Sequence, residues 1–481
     1  MKDARTAFVL VLLAVFLLFL PSLRRDLEAQ FMAHDPGPRG APVGAGTPIP
    51  ALTHTQLDFF VEGKTRFSRP HSVSGRLPGE SGTGLGPRYN LNGCGGCHSQ
   101  PAIGGTSPST TAYPYVGPNP QVAVATLDGA VNTVPSFITE DGPIREAHFK
   151  YFLAPGGGLS DERDGGEYDL YTIQGRVDAT NVIGITGHLQ TCYLAQPDFA
   201  QMEMLNNVSL RIPTPLFGAG LIENIADATL IDNLAANAAL KKELGISGSF
   251  NRGVDGTINR FGWKAIGNSL LPFAGEAATA EIGVSNEVIP TKLGSPLLPP
   301  VDCLFNGTPE DHIHMTPGES GPATPSSFMG ATNFMRFLDQ PKPACEGAGC
   351  PPAVQNGRRL FSSLGCALCH TPTLKTTVSS LSNSLSNANA NLYSDLALHH
   401  MGLGLADDII QGSAGPDQFR TAPLWGLGQR VFFLHDGRTQ DLIQAIEQHA
   451  SPGSEAGVVV QRYNHLTEGQ KQDLLDFLRS L

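Results

Sequence analysis

The pattern of apolar and polar positions predicts a helix most clearly at the end of the chain. Thr467 and Gln470 stand three residues apart, which is the spacing of a capping box at a helix start. An apolar stripe at helical spacing follows them: Leu474, Leu475, Phe477, Leu478 and Leu481. We therefore predict that an amphipathic helix closes the chain.

Two further segments have the same helical periodicity. Residues 357–364 lead directly into Cys366, and Leu442, Ile446 and His449 fall at positions i, i+4 and i+7, on one face of a helix. Together these patterns predict a mainly α fold.

The N-terminus resembles a targeting segment. Lys2 and Arg5 precede an apolar run from Ala7 to Leu20, which is short for a membrane span and typical of a signal peptide. Two arginines and a poor cleavage site follow, so residues 1–30 are either a signal peptide or an uncleaved N-terminal anchor. Both alternatives predict export.

Proline and glycine mark the boundaries between the predicted units. Residues 31–55 read as a Pro/Gly-rich tether and residues 341–355 as a linker. They divide the chain into an N-terminal domain, 56–340, with long irregular and some β insertions, and a C-terminal domain, 356–481. A Ser/Asn-rich insertion at 376–391 is expected to be a solvated loop.

Composition narrows the class of protein. Of 481 residues, 41% are hydrophobic and 16% charged, which is typical of globular proteins. The net charge of −12 argues against a nucleic-acid partner and suits a basic small redox protein.

The strongest chemical signal is the motif CxxCH, which occurs at Cys94-Gly-Gly-Cys97-His98 and again at Cys366-Ala-Leu-Cys369-His370. Its two thiols attach a haem covalently, and the adjacent histidine ligates the iron. A thioredoxin-like or zinc site would need a βαβ setting or a second cysteine pair nearby, and neither is visible. We predict two covalently bound haem c groups, with His98 and His370 as iron ligands.

A short repeat accompanies the two motifs. Residues 215–220 read PLFGAG and residues 423–428 read PLWGLG, one after each CxxCH. This repeat predicts two related, cytochrome c-like haem domains.

The remaining cysteines are expected to form disulfides in an oxidising compartment. Cys345 and Cys350 are close enough to bridge the linker, which would leave Cys192 with Cys303. Four cysteines allow three pairings, and the sequence does not choose among them.

A filled or open sixth position decides whether a haem transfers electrons or binds peroxide. Met401 is the only methionine after Cys369, and it competes as a ligand with five histidines: His399, His400, His435, His449 and His465. His449 is preferred because it shares the apolar face of a predicted helix, and Met401 is the alternative.

For the first haem, no comparable ligand stands out, but two carboxylates do. Glu146 and Glu223 are candidates for the group that transfers a proton during peroxide cleavage. The alternative for each is a structural role, in an Arg–Glu pair or at a helix start. Trp263 and Trp425 are either electron relays between the haems or core residues.

Several short sequence segments together resemble the bacterial di-haem oxidoreductase family, whose members are described as peroxidases or thiol oxidoreductases. The segments are residues 86–104, 211–215, 260–264, 393–395, 419–425 and 433–438, within a resemblance that covers about residues 56–481. Di-haem cytochrome c peroxidases and the methylamine-dehydrogenase maturation enzyme are more distant relatives.

The resemblance implies a peroxidatic haem in the N-terminal domain and an electron-transfer haem in the C-terminal domain. In those peroxidases the helix after the His-Asp-Gly turn carries a methionine ligand, and the matching stretch here ends at His449. The sequence departs from the family where His400 replaces an acid and His148 replaces a basic residue.

These observations predict an exported, periplasmic di-haem oxidoreductase that reduces H₂O₂ with electrons from a small redox protein or cytochrome. A non-catalytic electron carrier and a maturation enzyme that oxidises side chains of a partner protein are the alternatives.

Overall fold

The computed structural model describes residues 32–40, 44–75, 84–86, 88–108, 117–173, 176, 195–286, 288–289 and 326–481. The expected signal segment, 1–30, lies outside the described residues, as do Cys192 and Cys303.

Helices dominate the described residues, as the sequence predicts. The thirteen α-helices are α1 His54–Ser68, α2 Cys94–Cys97, α3 Pro120–Val124, α4 Phe199–Met204, α5 Ala219–Glu223, α6 Asp227–Ala235, α7 Ala238–Leu244, α8 Leu270–Ile282, α9 Ser327–Phe337, α10 Pro352–Leu364, α11 Leu442–Gln448, α12 Gly457–Asn464 and α13 Glu468–Ser480. None of them is both long and apolar enough to cross a membrane.

The strands are short and form small antiparallel sheets. They are β1 Arg88–Tyr89, β2 Glu146–Phe149, β3 Tyr151–Leu153, β4 Leu159–Arg163, β5 Glu167–Tyr168, β6 Tyr171–Thr172, β7 Val208–Arg211, β8 Leu374–Lys375, β9 Asn389–Ala390, β10 Leu398–His400 and β11 Gln418–Arg420. The largest sheet has the order β5-β2-β7, and four two-stranded pairs accompany it: β1-β6, β3-β4, β8-β9 and β10-β11.

Two pairs of helices cross at glycine. A methyl group at Gly63 of α1 would lie 2.2 Å from the carbonyl oxygen of Gly330 in α9. Likewise, a methyl group at Gly357 of α10 would lie 1.9 Å from the carbonyl oxygen of Asp473 in α13. Both crossings bring backbone against backbone, which only glycine permits.

Each crossing also places an aromatic residue four positions after its glycine. Phe67 in α1 packs on the His98 ring, with 6.0 Å between ring centroids, and Phe361 in α10 packs on the His370 ring at 6.3 Å. Phe334 of α9 and Phe477 of α13 then cover these two phenylalanines at 5.0 and 5.4 Å. The two CxxCH histidines therefore have equivalent surroundings.

The repeated hexapeptide has the same position in both halves. Gly218 and Gly426 have positive φ angles of 64° and 73° and start a short helical turn. Two residues later, a methyl group at Gly220 would lie 2.0 Å from the carbonyl oxygen of Arg336 in α9. The equivalent position at Gly428 is 2.1 Å from the carbonyl oxygen of Arg479 in α13. The sequence repeat is thus a structural repeat.

The closing helix forms as predicted. Thr467 caps α13, and both hydrogen bonds of the capping box with Gln470 are present. Helix α10 also matches its prediction and ends at Gly365, whose φ of 111° stops the helix one residue before Cys366. The Cys345–Cys350 disulfide, one of the pairings left open, is present just before α10.

The 376–391 insertion is only partly the solvated loop that the sequence predicts. Val378 and Leu381 are exposed, but Leu385 and Ala390 have no exposed surface and join the core. Strand β9 within the insertion pairs with β8 and so ties this inner part to the folded body.

The segment predicted as a tether is bound to the folded body. Asp35 forms an ion pair with Arg479 of α13 at 2.6 Å. Further along, the backbone N–H of Ile49 donates to the Phe337 carbonyl, and that of Asp339 donates to the Thr47 carbonyl. Its described residues before α1 therefore contact helices of both halves.

Candidate haem sites

The first cavity, of about 600 Å³, adjoins the first CxxCH motif and is lined by Cys94, Cys97 and His98. Neither thiol is in a disulfide. The His98 Nδ1 donates to the carbonyl oxygen of Gly105 at 3.1 Å, which leaves Nε2 as the ligand atom. Burial lowers the pKa of His98 to about 4, so the imidazole is in the neutral form that binds metals.

The second cavity, of about 240 Å³, has the same arrangement around the second motif. Cys366, Cys369 and His370 line it, and both thiols are free. The His370 Nδ1 donates to the Tyr393 carbonyl at 2.9 Å, and burial lowers the pKa of this histidine to about 4. Such a bond fixes the ring orientation of a metal-ligating histidine.

Two buried arginines in the second cavity fit the acidic propionates of a haem. Arg420 and Arg430 both line it, and burial lowers the pKa of each to about 10. Within the described part of the chain, neither forms an ion pair. Two uncompensated buried cations need an anionic partner, so the donor set and charge of this cavity suit a haem.

The geometry narrows the candidates for the sixth ligand of the second haem. His399 lines the cavity, but its ring nitrogens are occupied by Glu455 at 2.7 Å and Asp395 at 3.0 Å. His400 and His465 do not line the cavity, and the His400 Nδ1 is bonded to Asp417.

Three candidates remain on the cavity wall: Met401, His435 and His449. His449 directly follows α11, and its Nδ1 donates to the Ala445 carbonyl at 2.7 Å, which leaves Nε2 available. It lines the same cavity as His370. His435 instead stacks on Phe419 at 4.4 Å.

The two predicted catalytic carboxylates lie in different places. Glu146 lines the first cavity together with His98. Glu223, at the end of α5, does not line it: its carboxylate accepts from the Leu270 N–H that starts α8 and pairs with Arg336 at 2.8 Å. Burial raises the pKa of Glu223, but the bonds and charge of Arg336 outweigh it and hold the value below normal.

Glu146 belongs to a buried cluster formed mainly on one face of the β5-β2-β7 sheet. Side chains two apart on a strand share a face, so Glu146 and His148 of β2 point the same way. Glu167 of β5 is the direct partner of His148, and Arg211 of β7 is the partner of Glu146. Helix α8 adds Glu281 from above the sheet.

The pKa values of these carboxyls are raised by burial and by their closeness to one another. Burial first, and the charge of Glu281 second, raise the pKa values of Glu146 and Glu167 well above normal. The amide of Asn90 donates to Glu167 at 2.9 Å and to Glu281 at 3.0 Å, which holds these two carboxyls together.

Sequence reasoning missed Glu167, Glu281 and Asn90 as neighbours of Glu146. Only the i, i+2 spacing of Glu146 and His148 was visible along the chain.

The two tryptophans have different environments. Trp263 lines both cavities, and its Nε1 donates to the Ile212 carbonyl at 2.8 Å. Its ring lies edge-on to His435 at 6.4 Å. Trp425, only 4% exposed, is a core residue.

Comparisons with known proteins agree with this reading. Residues 198–481, more than half of the chain, match the family described as "Di-haem oxidoreductase, putative peroxidase". The match includes the second CxxCH motif and begins after the first. No curated protein matches the chain.

Two solved structures show weak similarity. One is hydrazine synthase of Kuenenia stuttgartiensis under xenon pressure, at 16% identity and a TM-score of 0.23, covering 39% of this chain and 63% of that one. The other is a MauG-like protein associated with microbial copper homeostasis, at 16% identity and a TM-score of 0.28, covering 56% of this chain and 90% of that one. This chain thus spans less than two thirds of the hydrazine synthase chain. On the family match, the chain belongs to the di-haem oxidoreductases.

Proposed function

We propose that this protein is an exported di-haem c-type peroxidase. Haem is attached at Cys94 and Cys97 and at Cys366 and Cys369, H₂O₂ reacts in the first cavity, and a small redox protein or cytochrome supplies electrons through the second. The observation that carries the proposal is a partly buried carboxyl, Glu146, in the same cavity as the first CxxCH histidine.

Haem, when bound, supplies the iron on which peroxide is reduced and the electrons that this reduction consumes. His98 holds the iron from one side. The protonated Glu146 carboxyl would donate its proton to one oxygen of H₂O₂, which leaves as water, and its other oxygen would take the proton of the second oxygen. With two electrons and two protons, each H₂O₂ gives two waters.

The chain positions Glu146 for this role through its neighbour in sequence. Gln121 is fully buried, and its amide binds both the N–H and the carbonyl of Arg145 at 2.9 Å. Because Arg145 directly precedes Glu146, these bonds fix the start of β2. Burial, and then the charge of Glu281, raise the pKa of Glu146 well above its usual range, which favours a protonated carboxyl that can act as a general acid.

The position of Trp263 supports an electron route between the two haems. It forms part of the wall common to both cavities, and an aromatic ring between two redox centres shortens the path for an electron. We propose that Trp263 is the relay and that Trp425 has a packing role alone.

The test is the reaction of the haem-loaded protein with H₂O₂. Glu146→Gln keeps the shape but cannot exchange the proton, so we expect the rate in stopped-flow mixing to fall at least ~100-fold with both haem spectra unchanged. Glu162→Gln, on the exposed strand β4, is the matched control.

Two other outcomes would count against the proposal. An unchanged rate in Glu146→Gln would remove this carboxyl from the mechanism. A wild-type protein inert to peroxide would favour a plain electron carrier.

A further inference from the structure

The cluster that contains Glu146 has the side chains of a metal site as well as those of a proton-transfer site. One donor atom each from Glu146, His148 and Glu167 lies within 4.8 Å of the other two. Because the donors come from paired positions on two neighbouring strands, the sheet itself fixes their separation.

A role in proton transfer alone does not explain why His148 is buried in this cluster. Its side chain is 4% exposed, and neither ring nitrogen forms a well-aligned hydrogen bond within the described residues, although the Gly165 backbone acts on the ring as a weak partner. The Nε2 atom lies 4.0 Å from the Glu146 carboxylate. A buried imidazole without a well-aligned partner loses its bonds to water and regains little in return.

The cluster also brings three carboxyl groups together, those of Glu146, Glu167 and Glu281, on the wall of the first cavity. Arg211 and Lys264 are the cations whose charges act on His148, and both already pair with Asp407, at 2.7 and 2.9 Å.

We propose that Glu146, His148 and Glu167 bind a divalent first-row transition-metal ion beside the first haem. One imidazole nitrogen with carboxylate oxygens is a donor set for borderline cations of this class. Glu281, held by Asn90, is placed to complete the coordination or to accept a hydrogen bond from a metal-bound water. The cluster lines the first cavity, which gives the ion a way in.

The site does not depend on the proposed peroxidase activity, because its donors are set by the sheet. Since Glu146 would serve both, a bound cation would displace the proton from this carboxyl. Metal binding and peroxide reaction are therefore measured separately.

The experiment uses the protein with both haems attached, dialysed against a chelator and titrated with Zn²⁺ by calorimetry. Zn²⁺ is chosen because it binds more tightly than Mn²⁺ or Fe²⁺ at such sites. We expect one strong site per chain. His148→Ala and Glu167→Gln should each weaken it at least ~100-fold, beyond the 10–100-fold loss typical of an outer-shell partner.

His465→Ala, which removes a surface histidine, should leave the affinity unchanged. Wild-type protein without a strong site, or wild-type affinity in both His148→Ala and Glu167→Gln, would overturn the proposal. If His148→Ala fails to fold, as judged by its haem spectrum, the isosteric Glu167→Gln variant decides alone. Glu146→Gln should weaken Zn²⁺ binding even if its peroxide rate is unaffected, which separates the two proposals.

Discussion

At the scale of single residues, the open question in the second cavity is which side chain, besides His370, ligates the haem iron. Met401 and His449 both line it, but only His449 has a ring orientation fixed by a hydrogen bond, from Nδ1 to the Ala445 carbonyl. Burial lowers the pKa of His449, which favours the neutral imidazole that binds metals.

We therefore predict that His449→Ala converts one low-spin haem to high spin, whereas Met401→Ala leaves it low spin. Electron paramagnetic resonance of the diferric protein measures both. If Met401→Ala abolishes the low-spin signal instead, the ligand is methionine, and the reduction potential of that haem is expected to be higher.

At the scale of elements, both halves depend on a glycine crossing between two helices. In α10 and α13, backbone atoms meet at Gly357 and Asp473, and the same contact holds Phe361 against His370. A side chain at this crossing would push the helices apart and loosen the wall of the haem cavity.

Gly357→Ala is accordingly expected to destabilise the protein by about 1–3 kcal/mol, the usual effect of overpacking. Gly469→Ala is the matched control within α13: nothing lies within 4 Å of its added methyl group, so alanine should be neutral or slightly stabilising there. Urea unfolding of the haem-loaded proteins compares the two. Equal stability would contradict the close crossing.

At the scale of the whole molecule, one arrangement occurs twice: a helix crossing at glycine, an aromatic residue on the CxxCH histidine, and a PL[FW]GxG turn against the second helix. Trp263 lies in the wall shared by the two cavities. The two CxxCH motifs therefore lie in similarly built surroundings, beside two cavities that share Trp263.

This duplication predicts two covalently attached haems per chain. The intact mass of the mature protein should exceed that of its polypeptide by two haems, and haem staining should survive boiling on a denaturing gel. Replacing both Cys94 and Cys97 with serine should remove one haem and leave the other. A fully matured protein with a single haem would contradict the prediction.

The sequence by itself determined whatever depends on contiguous residues. The CxxCH motifs, the capping box at Thr467 and the apolar face that carries His449 are local patterns, so neighbouring residues sufficed to predict them. The family was recognisable for the same reason, since its motifs are short blocks.

Only the tertiary structure shows that Glu146 lines the first cavity and that Glu223 does not. Glu223 is neutralised by Arg336, 113 residues away, whereas Glu146 meets Glu167 and Glu281 through strand pairing and a helix. Such contacts depend on how distant segments pack, and no local pattern of charge or hydrophobicity encodes them. Long-range packing also determines the burial of the His148 ring beside Glu146 and the burial of Leu385 in the core.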